Sequence, residues 1–93
     1  MRYVRTAAFK RAYRGLDGTR QERADSTLLK LADAFETGQI PQGLGLKPLQ
    51  HGVWEARSGI HDRILFRREP DDVVELLLIG THDEIKRFLK HSR

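Results

Sequence analysis

From Val53 to Arg68 apolar and polar side chains alternate in two runs, VWEARS and DRILFRR, on either side of a turn at Gly59-Ile60. Period-two alternation flanking a glycine predicts a β-hairpin. On the first strand Trp54 and Ala56 point one way and Glu55 and Arg57 the other; on the second, Ile64 and Phe66 oppose Arg63 and Arg67. The hairpin therefore has an apolar face, expected to carry the fold, and a basic face, expected to carry the function.

The remaining pattern supplies elements on both sides. Arg2 to Arg5 reads as a short strand with Tyr3 turned inward, and Thr6 is a suitable N-cap. Phe9, Ala12, Tyr13 and Leu16 recur at helical spacing among Lys10, Arg11 and Arg14, which predicts a short amphipathic helix with a basic back. Asp17-Gly18 ends it. Thr19 and Glu22 have capping-box spacing for a second helix, whose stripe of Ala24, Leu28, Leu31, Ala32 and Phe35 runs to Glu36, with Gly38 and Pro41 closing it. Lys47 to Leu49 restarts the sheet, Pro70-Asp71-Asp72 turns the chain, and the nearly unbroken apolar run Val73 to Ile79 predicts an interior strand covered on both faces. Gly80 ends that strand. Thr81 and Glu84 then form another capping-box pattern before a terminal helix burying Ile85, Phe88 and Leu89. The expected fold is α+β, with an N-terminal strand and helical pair on a mainly antiparallel sheet of four to five strands and a short C-terminal helix. The helices are expected on one face of the sheet.

Composition narrows the partners more than the fold. The 93 residues, 39% of them apolar, suit a single domain over 1–93. A net charge of +4, from 17 Lys and Arg against 13 Asp and Glu, favours a polyanionic partner such as nucleic acid or an acidic protein, or else marks a merely solvated basic surface. Zero cysteines exclude disulfides and thiolate chemistry, and the four scattered histidines lack the spacing of a zinc site. No apolar run approaches about 18 residues and MRYVRTAAFKR has no signal-peptide pattern, so a cytoplasmic protein without membrane contact is expected.

The order of elements, with LKPLQHGVWEARSGIHDRILFRRE followed by an apolar strand ending in GTH, resembles the RelE/ParE superfamily of toxins from bacterial toxin–antitoxin modules. The most specific part is Trp54-Glu55-Ala56-Arg57 followed by Asp62-Arg63-Ile64-Leu65-Phe66. The resemblance implies a RelE-like fold and one of two activities: ribosome-dependent mRNA cleavage, as in RelE-like and YafQ-like members, or inhibition of DNA gyrase, as in ParE-like ones. It implies a cognate antitoxin partner, in a toxin–antitoxin hetero-oligomer. His82 is similar to the histidine that YafQ-like members carry at the same strand-to-helix junction, and Asp62 falls where they place an acid. Arg63 matches the hairpin arginine of RelE-like members. Lys47 stands where YafQ-like members have a catalytic histidine, His61 lies near the place of another, and Lys86 or Phe88 occupies the position of an aromatic. The set mixes the two patterns.

Cleaving RNA without a metal or cofactor needs a base for the 2′ hydroxyl, a cation for the charge on phosphorus, and a proton for the leaving oxygen. In the first turn of a helix the dipole favours an uncharged imidazole, which makes His82 the candidate base. Arg63 is the candidate for the phosphate charge, since its guanidinium can fork onto two oxygens. Lys47, Arg57, Arg67 and Lys86 are candidates for flanking phosphates, and His61 or Asp62 for the second proton transfer. Trp54, on the apolar face, is not expected to stack on bases. Blander assignments exist: Arg57 and Arg63 paired with Glu55 or Glu75 across the sheet, and Asp62 capping the hairpin turn. The leading expectation is an mRNA endonuclease acting on the ribosome. A gyrase inhibitor working through the helical pair, and a remnant that binds antitoxin without toxicity, are the alternatives. An exposed sheet edge would suit an added antitoxin strand.

Overall fold

The computed structural model describes residues 1–91. Its elements are β1 (Arg2–Arg5), α1 (Ala7–Arg14), α2 (Gly18–Thr37), β2 (Lys47–Pro48), β3 (Val53–Ser58), β4 (Asp62–Glu69), β5 (Val73–Thr81) and α3 (His82–His91). One five-stranded sheet has the order β1-β5-β4-β3-β2, parallel only between β1 and β5. The expected α+β architecture with a mainly antiparallel sheet is the one observed.

Local chemistry starts each helix. The Thr6 hydroxyl accepts from the Phe9 N–H at 3.1 Å and donates to the Leu76 carbonyl at 3.0 Å, so one side chain both caps α1 and ties it to β5. At α2 the cap is Asp17, not Thr19: its carboxylate accepts from the Arg20 N–H at 2.9 Å. The aspartate comes two residues earlier and is at least as good a cap as threonine, so the helix begins before the Thr19–Glu22 pattern can act. Gly38, in the left-handed conformation at φ 78°, closes α2 as its position suggested.

The larger core lies between the helical pair and one face of the sheet, where Phe9, Leu31, Ala56, Ile64, Phe66 and Val74 are buried and Trp54 packs at the margin. A smaller core occupies the opposite face. There Ile85 of α3 meets Val53 and Leu65, with Leu77, Leu78, Phe88 and Leu89 around them. Expecting all helices on one face was therefore wrong for α3. The reason is in the pairing of β5, where Leu65 faces Leu78 but Phe66 faces Leu76, leaving Leu77 as an extra residue. That bulge turns Leu76 and Ile79 toward the helical pair and Leu77 and Leu78 toward α3. An unbroken apolar run can thus serve two cores, and β5 is covered on both faces as expected. It also runs on through Gly80 and Thr81, past the expected end. Among the described residues no helix is long and apolar enough to cross a membrane.

Candidate functional site

Cross-strand partners in an antiparallel ladder share a face. Arg57 is paired with Arg63, Val53 with Arg67, Glu55 with Leu65, and Lys47 with Glu55. Lys47, Arg57, Arg63 and Arg67 are therefore on one side of the sheet, the side that also receives α3. This face is only partly basic. Val53, Glu55 and Leu65 on it are buried, and the cations border the small core.

Arg57 and Arg63 are register partners, so two cationic side chains rise from neighbouring positions on this face, an unfavourable pairing for a ladder. Arg57 is anchored by its own N–H, which donates to the Leu44 carbonyl at 2.8 Å, and its side chain runs under the loop at Gly45. A Cβ at Gly45 would stand 3.2 Å from the Arg57 Cβ, and its φ of 60° already favours glycine. Arg63 donates from Nη1 to the Asp62 carbonyl at 3.2 Å. Arg67 has carboxylates near it, Glu69 at 3.8 Å and Glu75 at 3.9 Å, both at the outer limit of an ion pair.

The register also sets the place of α3. Gly80 is the partner of Arg63, and Thr81 the partner of Asp62, so α3 leaves the sheet beside the Arg57–Arg63 pair. The capping box forms as its spacing predicts: the Thr81 N–H donates to Glu84 Oε1 at 2.8 Å and the Glu84 N–H to Thr81 Oγ1 at 3.3 Å. His82, the first helical residue, is exposed. Lys86 is one turn further along, also exposed, so it stands on the same flank of α3 as His82.

Asp62 and His61 go elsewhere. Asp62 shares a face with Ser58 and Ile64, on the side of the helical pair, and is only 2% exposed. Its two oxygens accept from Arg20 Nε at 2.9 Å and Nη2 at 2.6 Å. The bond from Asp62 raises the pKa of Arg20 and so holds the guanidinium still more firmly charged. His61 lies exposed in the turn after Gly59, at the rim of a cleft of about 500 Å³ between the hairpin and the start of α2, lined also by Asp17, Arg20, Arg23, Ser58 and Asp62. Lys47, Arg57, Arg63 and the start of α3 are thus brought together, while His61 and Asp62 face the other side. Sequence reasoning passed over Arg20 and Ser58. Ser58 Oγ is buried with no hydrogen-bond partner among the described residues, and nothing local distinguishes either residue from a surface one.

The architecture matches solved structures. The YoeB/ParE toxin from Agrobacterium tumefaciens superposes with a TM-score of 0.69 over 88% of this chain and 99% of that one, at 20% identity. The shared fold is that of the RelE/ParE toxins. The RelB–RelE antitoxin–toxin complex from Methanococcus jannaschii gives 0.66 over 91% of this chain and 96% of that one, at 14% identity. The E. coli DinJ–YafQ toxin–antitoxin complex gives 0.64 over 89% and 93%, at 17% identity. No family model and no curated protein matches the chain by sequence. Identities this low carry the RelE/ParE fold across, and the chemistry has to be argued from the residues.

Proposed function

We propose that this chain is the toxin of a toxin–antitoxin pair and cleaves mRNA on the ribosome as a metal-independent endonuclease. The observation that carries this is the Arg57–Arg63 register pair, two cationic residues side by side on the face shared by Lys47 and bordered by the exposed start of α3. An anionic phosphodiester between them would turn a repulsive arrangement into an attractive one. In this reading the two guanidinium groups hold the scissile phosphate and the charge that builds on it. His82 takes the 2′ hydroxyl proton as that oxygen attacks phosphorus. The bond to the 5′ oxygen breaks, the leaving oxygen takes a proton from the Lys47 ammonium, and a 2′,3′-cyclic phosphate remains. Lys86 and Arg67 contact neighbouring phosphates. Asp62 is assigned to holding the hairpin on α2 instead of proton transfer, because Arg20 occupies both its oxygens. His61 is left outside the site by its side of the sheet.

The partner in this reading is an antitoxin that covers the same face, as toxin–antitoxin complexes are among the structures sharing the fold. Translation then puts the protein in the cytoplasm. Induction of the isolated gene tests the activity, with transcripts mapped for cleavage beside Arg63→Ala and His82→Ala. Cleavage by the wild type and its loss in both variants supports the reading. Intact transcripts with soluble wild-type protein overturn it, and inhibited gyrase supercoiling in the same preparations would replace it.

A further inference from the structure

The charge of this chain is partitioned along its length. Residues 1–16 hold five cations, Arg2, Arg5, Lys10, Arg11 and Arg14, and no acid. The other 12 cations face all 13 acids in residues 17–93, a balance of −1, so the whole excess of +4 is N-terminal. Every one of the five is exposed, and none is in an ion pair among the described residues. The hairpin face treated above is not the centre of positive charge.

We propose that Arg5 of β1 and the basic back of α1 form a second surface that binds the phosphate backbone of nucleic acid, on the helical-pair side of the sheet and away from Arg57 and Arg63. Arg5, Lys10 and Arg14 line one groove of about 350 Å³ with Tyr13 and Leu28. Asp25 is the single acid lining it among the described residues, and its Oδ1 accepts from the Tyr13 hydroxyl at 2.8 Å. Lys10 and Arg14 are one helical turn apart, and Arg5 lies close enough to Tyr13 to act on its phenol electrostatically, so the three cations are neighbours.

The chemistry of the patch selects among polyanions. A helix binding a membrane lays its apolar face into the lipid, whereas the apolar face of α1 is spent on the core: Phe9 is 1% exposed, and Ala12 and Tyr13 pack beside it. A protein partner is anchored by a desolvated apolar or aromatic centre, and the exposed side chains of α1 are mostly cations. Phosphate contacts need no such centre and are made by forked guanidinium groups, which are four of the five cations. Arg11 and Arg14 also suit the negative end of the α1 dipole. Helix stabilisation does not account for Arg5 or Lys10, which lie outside that turn.

The test uses a fluorescein-labelled 2′-O-methyl RNA 20-mer of mixed sequence, followed by fluorescence anisotropy. Without a 2′ hydroxyl it cannot be cleaved, so the readout is binding alone and does not depend on the nuclease reading. The triple variant Arg5→Gln/Lys10→Gln/Arg14→Gln is compared with Lys30→Gln/Arg87→Gln/Lys90→Gln, which has the same net charge. The first should bind about tenfold more weakly at low salt and flatten the dependence of log K on log salt by about two, while the second stays near wild type. Arg5→Lys/Arg14→Lys should retain binding, which separates lost charge from a damaged fold. Absent binding by the wild type, equal losses in both triple variants, or an unaffected first triple overturns the proposal. Competition by polyglutamate or anionic vesicles as strong as by unlabelled RNA overturns it as well.

Discussion

The Arg20 guanidinium and the Asp62 carboxylate meet through two hydrogen bonds, at 2.9 and 2.6 Å, across 42 positions of sequence. Asp62 is 2% exposed and the Arg20 side chain 33%, so the pair is half covered and stitches the hairpin to the first turn of α2. Removing the arginine strands the acid. Arg20→Ala, which leaves the buried Asp62 carboxylate unpaired, should cost about 3 kcal/mol and for a chain of this size lower the melting temperature by about 10 °C or more, whereas Asp62→Ala leaves a guanidinium that can turn to water and should cost less. The double variant Arg20→Met/Asp62→Leu should recover most of that loss, because no buried charge is left unpaired. Thermal melts by circular dichroism read both. If Asp62 only holds the hairpin, the double variant also retains RNA cleavage per folded molecule; loss of cleavage at full stability would return Asp62 to the catalytic set.

A side chain at Gly80 would meet Glu84. A Cβ there would stand 2.8 Å from Glu84 Oε1 and 3.2 Å from the Glu84 Cβ, the side chain that reaches back to the Thr81 N–H. Gly80→Ala must displace that carboxylate and open the capping box, at about 1 kcal/mol or more. On a Glu84→Ala background the carboxylate is gone and only the 3.2 Å approach to the Cβ of residue 84 remains, so the same substitution should cost less, a non-additivity that a double-mutant cycle measures. Equal costs on both backgrounds would mean that the strain lies elsewhere. Because Gly80 is the partner of Arg63, the single variant should also reduce RNA cleavage.

The elements of this fold were legible wherever the controlling interaction was local. Alternation located the hairpin, Thr81 and Glu84 announced the start of α3 three residues apart, and Gly38 marked the end of α2. What failed depended on distance or on competition. Thr19 loses the cap to Asp17, a contest between two acceptable caps that spacing alone does not decide. The bulge at Leu77 is invisible because every residue around it is apolar, and with it the placement of α3 on the second face was lost. For the site, Arg57, Arg63 and Arg67 were placed together by period-two alternation, whereas Lys47 was named through the resemblance and its place on the same face comes from the β2–β3 register. Asp62, adjacent to Arg63 in sequence, by that same alternation points the other way, toward an arginine no local pattern could supply.

Leu65 tests the second core. It is fully buried among Val53, Ile85 and their neighbours, and that small cluster is what holds α3 to the sheet. Leu65→Ala should cost about 3 kcal/mol through lost contact and the cavity left behind. The loss should be uneven. Hydrogen exchange is expected to speed up first at the amides of α3, while α2, anchored in the larger core through Leu31, keeps its protection until global unfolding. Uniform acceleration across the chain would show that the two cores unfold as one.

Arg57 facing Arg63 sets stability against binding. Like charges directly opposite in a ladder destabilise it by about 0.2–1 kcal/mol, and Arg57 is the more exposed of the two. Arg57→Gln should therefore raise the melting temperature by a few degrees, by about 4–8 °C for each kcal/mol gained. The gain should shrink as salt rises from about 0.05 to 0.5 M, since an exposed repulsion is screened over a Debye length of about 10 Å or less. Under the proposed function the same variant should cleave RNA more slowly, having lost one of the two cations assigned to the scissile phosphate. Higher stability with lower activity is the outcome expected when a fold keeps a repulsive pair for the anion that relieves it. A variant that is less stable as well as less active would mean that Arg57 supports the Gly45 loop by packing, and that its charge is incidental.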